Sequence, residues 1–533
     1  MTIKRWIPPV TPYPAEQRIL KRLTRVRKLF AFLRLHRHEI LDEEFQDALA
    51  AMYRDTGAGS PPQPPGLMCM ALLLQGYMGV SDAEAVELTV MDARWQLVLD
   101  RLGATEPAFA QGGLQQFRSR LIAHDLDRRL LEQTVKVARQ SKGFDHKKLP
   151  KDLRVGIDSR PLATAGRVED TFNLLGHAGR KIAECAAEMS GLSYSDVCKG
   201  SGAEVLLAPS VKAGLDVDWS DREQKDQALE VLVVQLRALS GYVARLMRGE
   251  LDPLTAFYIE ALQQVEEQDL EEQDGRVRIR QGVAPDRRIS IEDPEARHGR
   301  KSKSKTINGY KEHMATDLVN DLVLACVVLP ANMPEHEAAP TLKDDVNAQG
   351  FHIDELYVDR AYVSSPAMDR IEDDGGDVVC KPWRAQSSNG LALFTKADFD
   401  MDVFRKTITC PAGEVQKFEF DQVVKFPTER CQPCSMRLRC TTSTTARSIQ
   451  IAHDEIRQKR FRGLQATPGG RAKLRGRVPV EHRQAHSAQR KGNRARYLGT
   501  RKNTFDLRRA GAIDNLHAAA RFQHASATLA TAA

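Results

Sequence analysis

The spacing of apolar and polar positions divides the chain into stretches of different period. Residues 1–145 read mostly as helix. Pro61-Pro-Gln-Pro-Pro-Gly66 breaks the chain ahead of an apolar run over 67–77, which Gly79 closes, and Ser81-Asp-Ala-Glu84 has the spacing of a capping box opening the next helix. Phe117, Leu121 and Leu126 predict a further helix that carries Arg118 and Arg120. At 153–158 the pattern changes: Leu-Arg-Val-Gly-Ile-Asp reads as a short strand ending in an acid. Residues 178–285 return to a largely helical pattern, in which Leu229, Leu232, Val233, Leu236, Leu239, Val243 and Leu246 predict an amphipathic helix with a solvated acidic face. Next come 307–317 and the continuous apolar run 322–329, typical of a buried strand. A helix over 334–347, a strand over 355–359 that again ends in an acid, a helix over 365–373 and a strand over 377–381 follow. Residues 394–445 are irregular, and from about 450 the chain is basic and helical. Strands interleaved with helices describe a mixed α/β layer, here with an all-α N-terminal domain and a helical insertion.

Composition narrows the class. The 533 residues allow several domains, and 42% apolar with 28% charged residues describe a globular chain, not a disordered one. The longest near-apolar stretch, 322–331, is too short to span a bilayer, so no membrane role is expected. The start, Met1-Thr-Ile-Lys-Arg-Trp-Ile-Pro-Pro, has no apolar signal core, so export is not expected. Nine scattered cysteines argue against a disulfide scaffold. The net charge of +7 is mild but unevenly spread. Residues 457–522 hold 18 Lys/Arg against three acids, whereas 216–274 hold five against 15. A basic stripe of that density reads as a phosphate-binding surface. A disordered basic tail is the bland alternative, opposed by interleaved Val478, Val480, Tyr497, Leu498, Phe505 and Leu516.

Two groups of residues carry candidate chemistry. Asp158 and Asp359 each follow a short apolar strand; on neighbouring strands they converge, and paired hard oxygen ligands suit Mg²⁺ or Mn²⁺. A strand-end Asp is equally a turn or capping residue, and spacing alone leaves the two readings level. Cys410, Cys431, Cys434 and Cys440 are spaced C-x20-C-x2-C-x5-C, and four thiolates with a C-x2-C knuckle predict a closed, structural Zn²⁺ site with no open catalytic position. Cys69, Cys185, Cys198, Cys326 and Cys380 read as plain core residues. His453 and the His482/His486 pair could in principle bind metal, but a surface or hydrogen-bonding role is the more ordinary one.

Val155-Gly-Ile-Asp158-Ser-Arg-Pro-Leu with Gly166-Arg-Val-Glu-Asp170-Thr-Phe-Asn-Leu-Leu resembles the first-aspartate region of bacterial insertion-sequence transposases of the DDE type. Asp293-Pro-Glu-Ala-Arg297 with Asn308-Gly-Tyr-Lys-Glu-His313 resembles the segment before their middle strands. Leu356-Tyr-Val-Asp359-Arg-Ala-Tyr362 resembles their second-aspartate motif. Val480-Glu481-His482, Arg494-Ala-Arg-Tyr497-Leu-Gly-Thr-Arg-Lys502 and Asn515-Leu516 resemble their glutamate helix and C-terminal end, and 72–95 is similar to their helical leader domain.

The resemblance implies a ribonuclease-H-like mixed sheet with flanking helices, with Asp158, Asp359 and Glu481 as a DDE triad holding two divalent ions, Mg²⁺ or Mn²⁺. Asp170 and Glu455 are nearby alternatives for the first and third acids. The implied division is a helical domain at 1–145 for DNA ends or dimerisation, core segments at 146–180 and 291–400, the acidic insertion at 181–290, the Cys-rich insert at 401–450 and a basic core segment at 451–533. Arg475, Arg477, Arg483, Arg490, Lys491, Arg494, Arg496, Arg501 and Lys502 are the expected phosphate contacts, with Arg118 and Arg120 as further candidates. Trp383 and Tyr362 could stack on a displaced base or serve the core. The implied partners are double-stranded DNA and further copies of the chain, a homodimer or higher oligomer, in the bacterial cytoplasm at the nucleoid. A non-enzymatic zinc-containing DNA-binding protein and a metal-dependent nuclease that does not rejoin ends are the rival readings.

Overall fold

Strand β1 (Leu153–Ala163) lies at the centre of a six-stranded sheet. A computed structural model gives the fold over residues 3–23, 27–53, 61–141, 153–300, 304–383 and 393–532, with side chains as far as 523. The expected boundary at 145/146 lies outside the described residues. Val155, Ile157 and Leu162 are buried, as a strand covered on both faces requires. The other strands are β2 (Arg297–Arg300), β3 (Thr306–Asp317), β4 (Leu322–Pro330), β5 (Ile353–Tyr357) and β6 (Asp377–Val379). They run in the order β2-β3-β1-β5-β6, with β4 also paired to β3. The pair β1–β3 is antiparallel from Val155 opposite Asp317 to Ala163 opposite Gly309, whereas β1–β5 and β5–β6 are parallel.

The expected strand at 153–158 is therefore longer than the pattern indicated. Asp158 does not end it, because β1 runs on to Ala163. The apolar signal fades after Ile157, but pairing with β3 carries the strand through Ser159, Arg160 and Pro161.

The helices before β1 and the long terminal helix (Thr500–Ala532) share one apolar core with the sheet. The terminal helix lies against β4 and supplies that strand's missing partners. Asn515 accepts from the Val323 N–H at 2.7 Å and donates to the Val323 carbonyl at 2.9 Å, and Thr504 Oγ1 accepts from the Val328 N–H at 3.1 Å. A strand edge is thus closed by side chains, which both satisfies its backbone and blocks pairing with another chain. Arg508 of the same helix reaches Asp125 and Asp127 from the leader and Asp345 on the helix Ala338–Ala348, which packs on β4.

The acidic segment forms a second core. Its helix Arg222–Leu246 buries Leu229, Leu232, Val233, Leu236, Leu239 and Val243 in a core built on the helix Thr171–Ser190, against which Pro253–Asp269 also packs. An antiparallel hairpin at 270–273 and 276–279, not signalled by the helical pattern, completes it. A third, small core around Phe399, Ile408, Phe418 and Ile449 holds the Cys-rich region, where short strands replace the expected irregular chain.

Asn515 is fully buried and makes both backbone bonds to Val323, so Asn515→Ala should cost about 2 kcal/mol of stability. Chemical denaturation checks this, and a midpoint equal to the parent's would show that the β4 edge does not depend on the clamp.

Candidate active site

The parallel pairing of β1 with β5 sets Gly156 beside Tyr357. Asp158 and Asp359 each lie two residues further on, one inside β1 and the other just beyond β5. Asp158 is largely buried and accepts from the Ser159 N–H at 2.9 Å. Asp359 caps a short turn, Arg360–Tyr362, by accepting from the Ala361 N–H at 2.8 Å. It is thus both a capping residue and a member of the cluster, so the two readings left open by its spacing are compatible.

Glu481 arrives on the helix Val478–Lys491, in its first turn, where the helix dipole favours a carboxylate. Two glycines set how closely that helix approaches. A Cβ on Gly156 would lie 3.1 Å from the Val480 Cβ, and one on Gly476 would lie 2.8 Å from the Tyr357 ring. Arg477, one turn before Glu481, lies between the acids. Its guanidinium is 2.9 Å from Glu481, 3.5 Å from Asp158 and 3.9 Å from Asp359. Burial pushes Asp158 up to about 6, against the opposing pull of Arg477. Glu481 is the most exposed of the three, with 56% of its side chain open to solvent.

Below the carboxylates, Tyr362 and His313 are fully buried and hydrogen-bonded at 2.7 Å. Burial lowers His313 to about 3, so it is neutral, and raises the Tyr362 hydroxyl, so the phenol keeps its proton. Tyr362 serves the core and cannot stack on a base. Trp383 is half exposed, outside the core.

The alternative acids are engaged elsewhere. Asp170 caps the helix Thr171–Ser190 and pairs with Lys212 at 2.6 Å, and Glu455 is buried between Lys396 and Arg462. An open groove of about 860 Å³ runs past Asp158, Asp359 and Glu481 and also meets Glu335 and Lys305. A second, of about 500 Å³, leads away from Asp359, Arg477 and Glu481 past Arg360, Lys381, Arg471 and Arg475. Sequence reasoning missed Glu335, Lys305, Lys381 and Arg471, which lie outside any recognisable motif, and Arg360, which stands in the second-aspartate motif but was given no role. The bridging position of Arg477 was signalled only by its spacing of four from Glu481.

Several expected phosphate contacts are used inside the fold. Arg483 is buried against Asp321 at 2.8 Å, and Lys491 is buried between Glu312 and Asp506. Arg490 pairs with Asp514, and Arg501 with Asp125 and Asp127. Arg494 donates to the Thr164 and Ala165 carbonyls, and Arg496 to that of Val80. Arg118 grips Asp82 at 2.8 and 2.7 Å, and Arg120 lies over the Tyr53 ring. For Arg483 and Lys491 in particular, burial corrects the expectation: the basic stripe that looked solvated is largely a set of internal ion pairs. Arg475 and Lys502 are exposed.

Cys410, Cys431, Cys434 and Cys440 line one pocket of about 370 Å³ in the small domain, and Cys410 Sγ accepts from the Glu414 N–H at 3.3 Å. Among the described residues, no group of three or more His, Cys, Asp or Glu side chains is arranged to hold a metal ion, so the geometry does not support the expected Zn²⁺. The other five cysteines are buried, as expected, and His482 and His486 are exposed. No helix among the described residues is long and apolar enough to cross a membrane.

Comparison with known proteins gives three family matches. A transposase DDE domain matches 277–422, a second transposase DDE domain matches 409–517, and a transposase domain (DUF772) matches 20–120. The DDE matches include Asp359 and Glu481, while Asp158 lies between the matched stretches. Neither the curated proteins nor the solved structures give a match. A DDE domain implies a ribonuclease-H-like fold and a divalent metal, usually Mg²⁺, and the mixed sheet around β1 agrees with that fold. With a transposase leader domain followed by two DDE-domain matches in chain order, the protein belongs to the insertion-sequence transposases of the DDE type.

Proposed function

We propose that the chain binds the terminal inverted repeats of an insertion sequence, hydrolyses the 3′ phosphodiester bond at each end and joins the freed 3′-hydroxyls to target DNA. The observation that carries this reading is the meeting of Asp158, Asp359 and Glu481, far apart in sequence, around the single guanidinium of Arg477. Water and a 3′-hydroxyl both attack phosphorus with negative charge growing on several oxygens at once. Three carboxylates around the Arg477 guanidinium leave net negative charge, and hard oxygen donors of this kind suit Mg²⁺ or Mn²⁺, although as they stand the three are bridged by Arg477 and not grouped as metal ligands. A divalent ion held there supplies stabilisation for the charge on the phosphate oxygens.

The chain's own groups supply orientation. The Ser159 N–H fixes Oδ1 of Asp158 and the Ala361 N–H fixes Oδ1 of Asp359, which leaves Oδ2 of each on the side of Arg477. Arg477 presents a forked donor suited to a non-bridging phosphate oxygen. Glu481, exposed on its helix, has room to turn toward the aspartates.

In this reading the leader helices bind the element ends, two or more copies assemble to pair those ends, and the protein acts at the nucleoid. The four cysteines line one pocket but are not arranged as metal ligands there, so a structural Zn²⁺ would require their side chains to turn toward a common point.

Strand cleavage of a duplex carrying the element end, in Mg²⁺, tests the mechanism. Asp359→Ala and Glu481→Gln should each abolish cleavage while DNA binding persists, and undiminished cleavage in Asp359→Ala would contradict it. For the cysteines, elemental analysis should find stoichiometric zinc that Cys434→Ser loses, together with a lowered melting temperature. Zinc-free parent protein that melts like the variant would remove the ion from the account.

A further inference from the structure

The two grooves that meet at the carboxylates differ in charge. Among the described residues the larger one adds Asp158 and Glu335 to the shared Asp359 and Glu481, and its cations beyond Arg477 are Arg160 and Lys305. Arg160 is spent on the buried Glu312 and on the Gly492 carbonyl. The rest of its polar lining, such as Asn308, Gln484 and Asn493, is neutral.

The smaller groove has the opposite balance. Beyond the shared Asp359, Arg477 and Glu481 its lining contains, among the described residues, no acid but four cations: Arg360, Lys381, Arg471 and Arg475. They come from four places in the fold: the turn after Asp359, the segment after β6, the helix Pro468–Leu474 and the turn Arg475–Arg477. Among the described residues none of the four has an ion pair with a carboxylate, unlike the buried or paired Arg483, Arg490, Lys491 and Arg501 of the same basic segment. Two are already held in place by backbone. Arg360 donates to the Pro382 carbonyl at 2.5 Å, and Arg471 to those of Gln465 and Ala466 at 3.2 and 3.0 Å. A held guanidinium loses little freedom on meeting an anion, and a concave surface concentrates the field of its charges.

A row of uncompensated cations leading up to a carboxylate cluster suits a polyanion that extends in one direction from the reacting phosphate. We propose that this groove grips the phosphodiester backbone of DNA on one side of the scissile bond, with Lys381 and Arg471 as positioning residues. The inference rests on the function proposed above and adds two residues that no motif marks.

The test is the salt dependence of binding to labelled duplex DNA carrying the element end, measured on the full chain. Each phosphate contact contributes about 0.9 to the slope of log affinity against log salt, so Lys381→Gln with Arg471→Gln should reduce that slope by about 2. Lys381→Arg with Arg471→Lys, which keeps both charges, should restore it. An unchanged slope in the folded double variant, checked by its melting temperature, would overturn the inference even where Asp359→Ala still abolishes cleavage. Cleavage surviving in Asp359→Ala would instead overturn the function while leaving a shifted slope as evidence for the grip.

Discussion

Everything at the site depends on how closely the helix Val478–Lys491 is pressed onto the ends of β1 and β5. Gly156 and Gly476 have no side chain where Val480 and Tyr357 come nearest, and that contact brings Arg477 and Glu481 to the two aspartates. The arrangement is electrostatically costly. Carboxylates gathered around one guanidinium repel one another. One guanidinium offsets only part of the repulsion among three acids. The fold therefore holds them by other means: the continuous β1–β3 register, the Asp359 cap and the buried Tyr362–His313 pair beneath. The result is a shortage of positive charge around the three acids.

The terminal helix extends the same constraint outward. It closes β4 through Asn515 and Thr504 and, through Arg508, ties the leader helices to the helix Ala338–Ala348 that packs on β4. The leader is thus packed into the core that supports the catalytic strands. Arginines and lysines that look like a DNA-binding stripe are consumed in this framework. The charge left for a polyanion is concentrated instead beside Asp359, where Arg360, Lys381, Arg471 and Arg475 face one groove.

Much of this was legible in residue order. The alternation around Val155 and Ile157, the apolar run of β4 and the short strand before Asp359 report burial directly, and burial is what hydrophobic pattern encodes. The acidic helix likewise declared its buried face through Leu229, Leu232 and Leu236. The full extent of β1 was not legible, because Ser159 to Pro161 are held in the strand by pairing with β3 and not by their own propensity. Nor was the fate of Arg483 and Lys491, whose partners Asp321 and Glu312 lie well over a hundred residues away. Composition shows a charge but not its counter-charge, so an internal ion pair and a solvated cation look the same until the chain is folded.

The central claim is that Asp158, Asp359 and Glu481 form one cation-binding site. A crystal of the protein soaked in Mn²⁺ tests it most directly through the ion's anomalous signal. The account predicts a peak between the Asp158 and Asp359 carboxylates, with Glu481 turned toward it. Manganese bound only at a distance from both aspartates would contradict it.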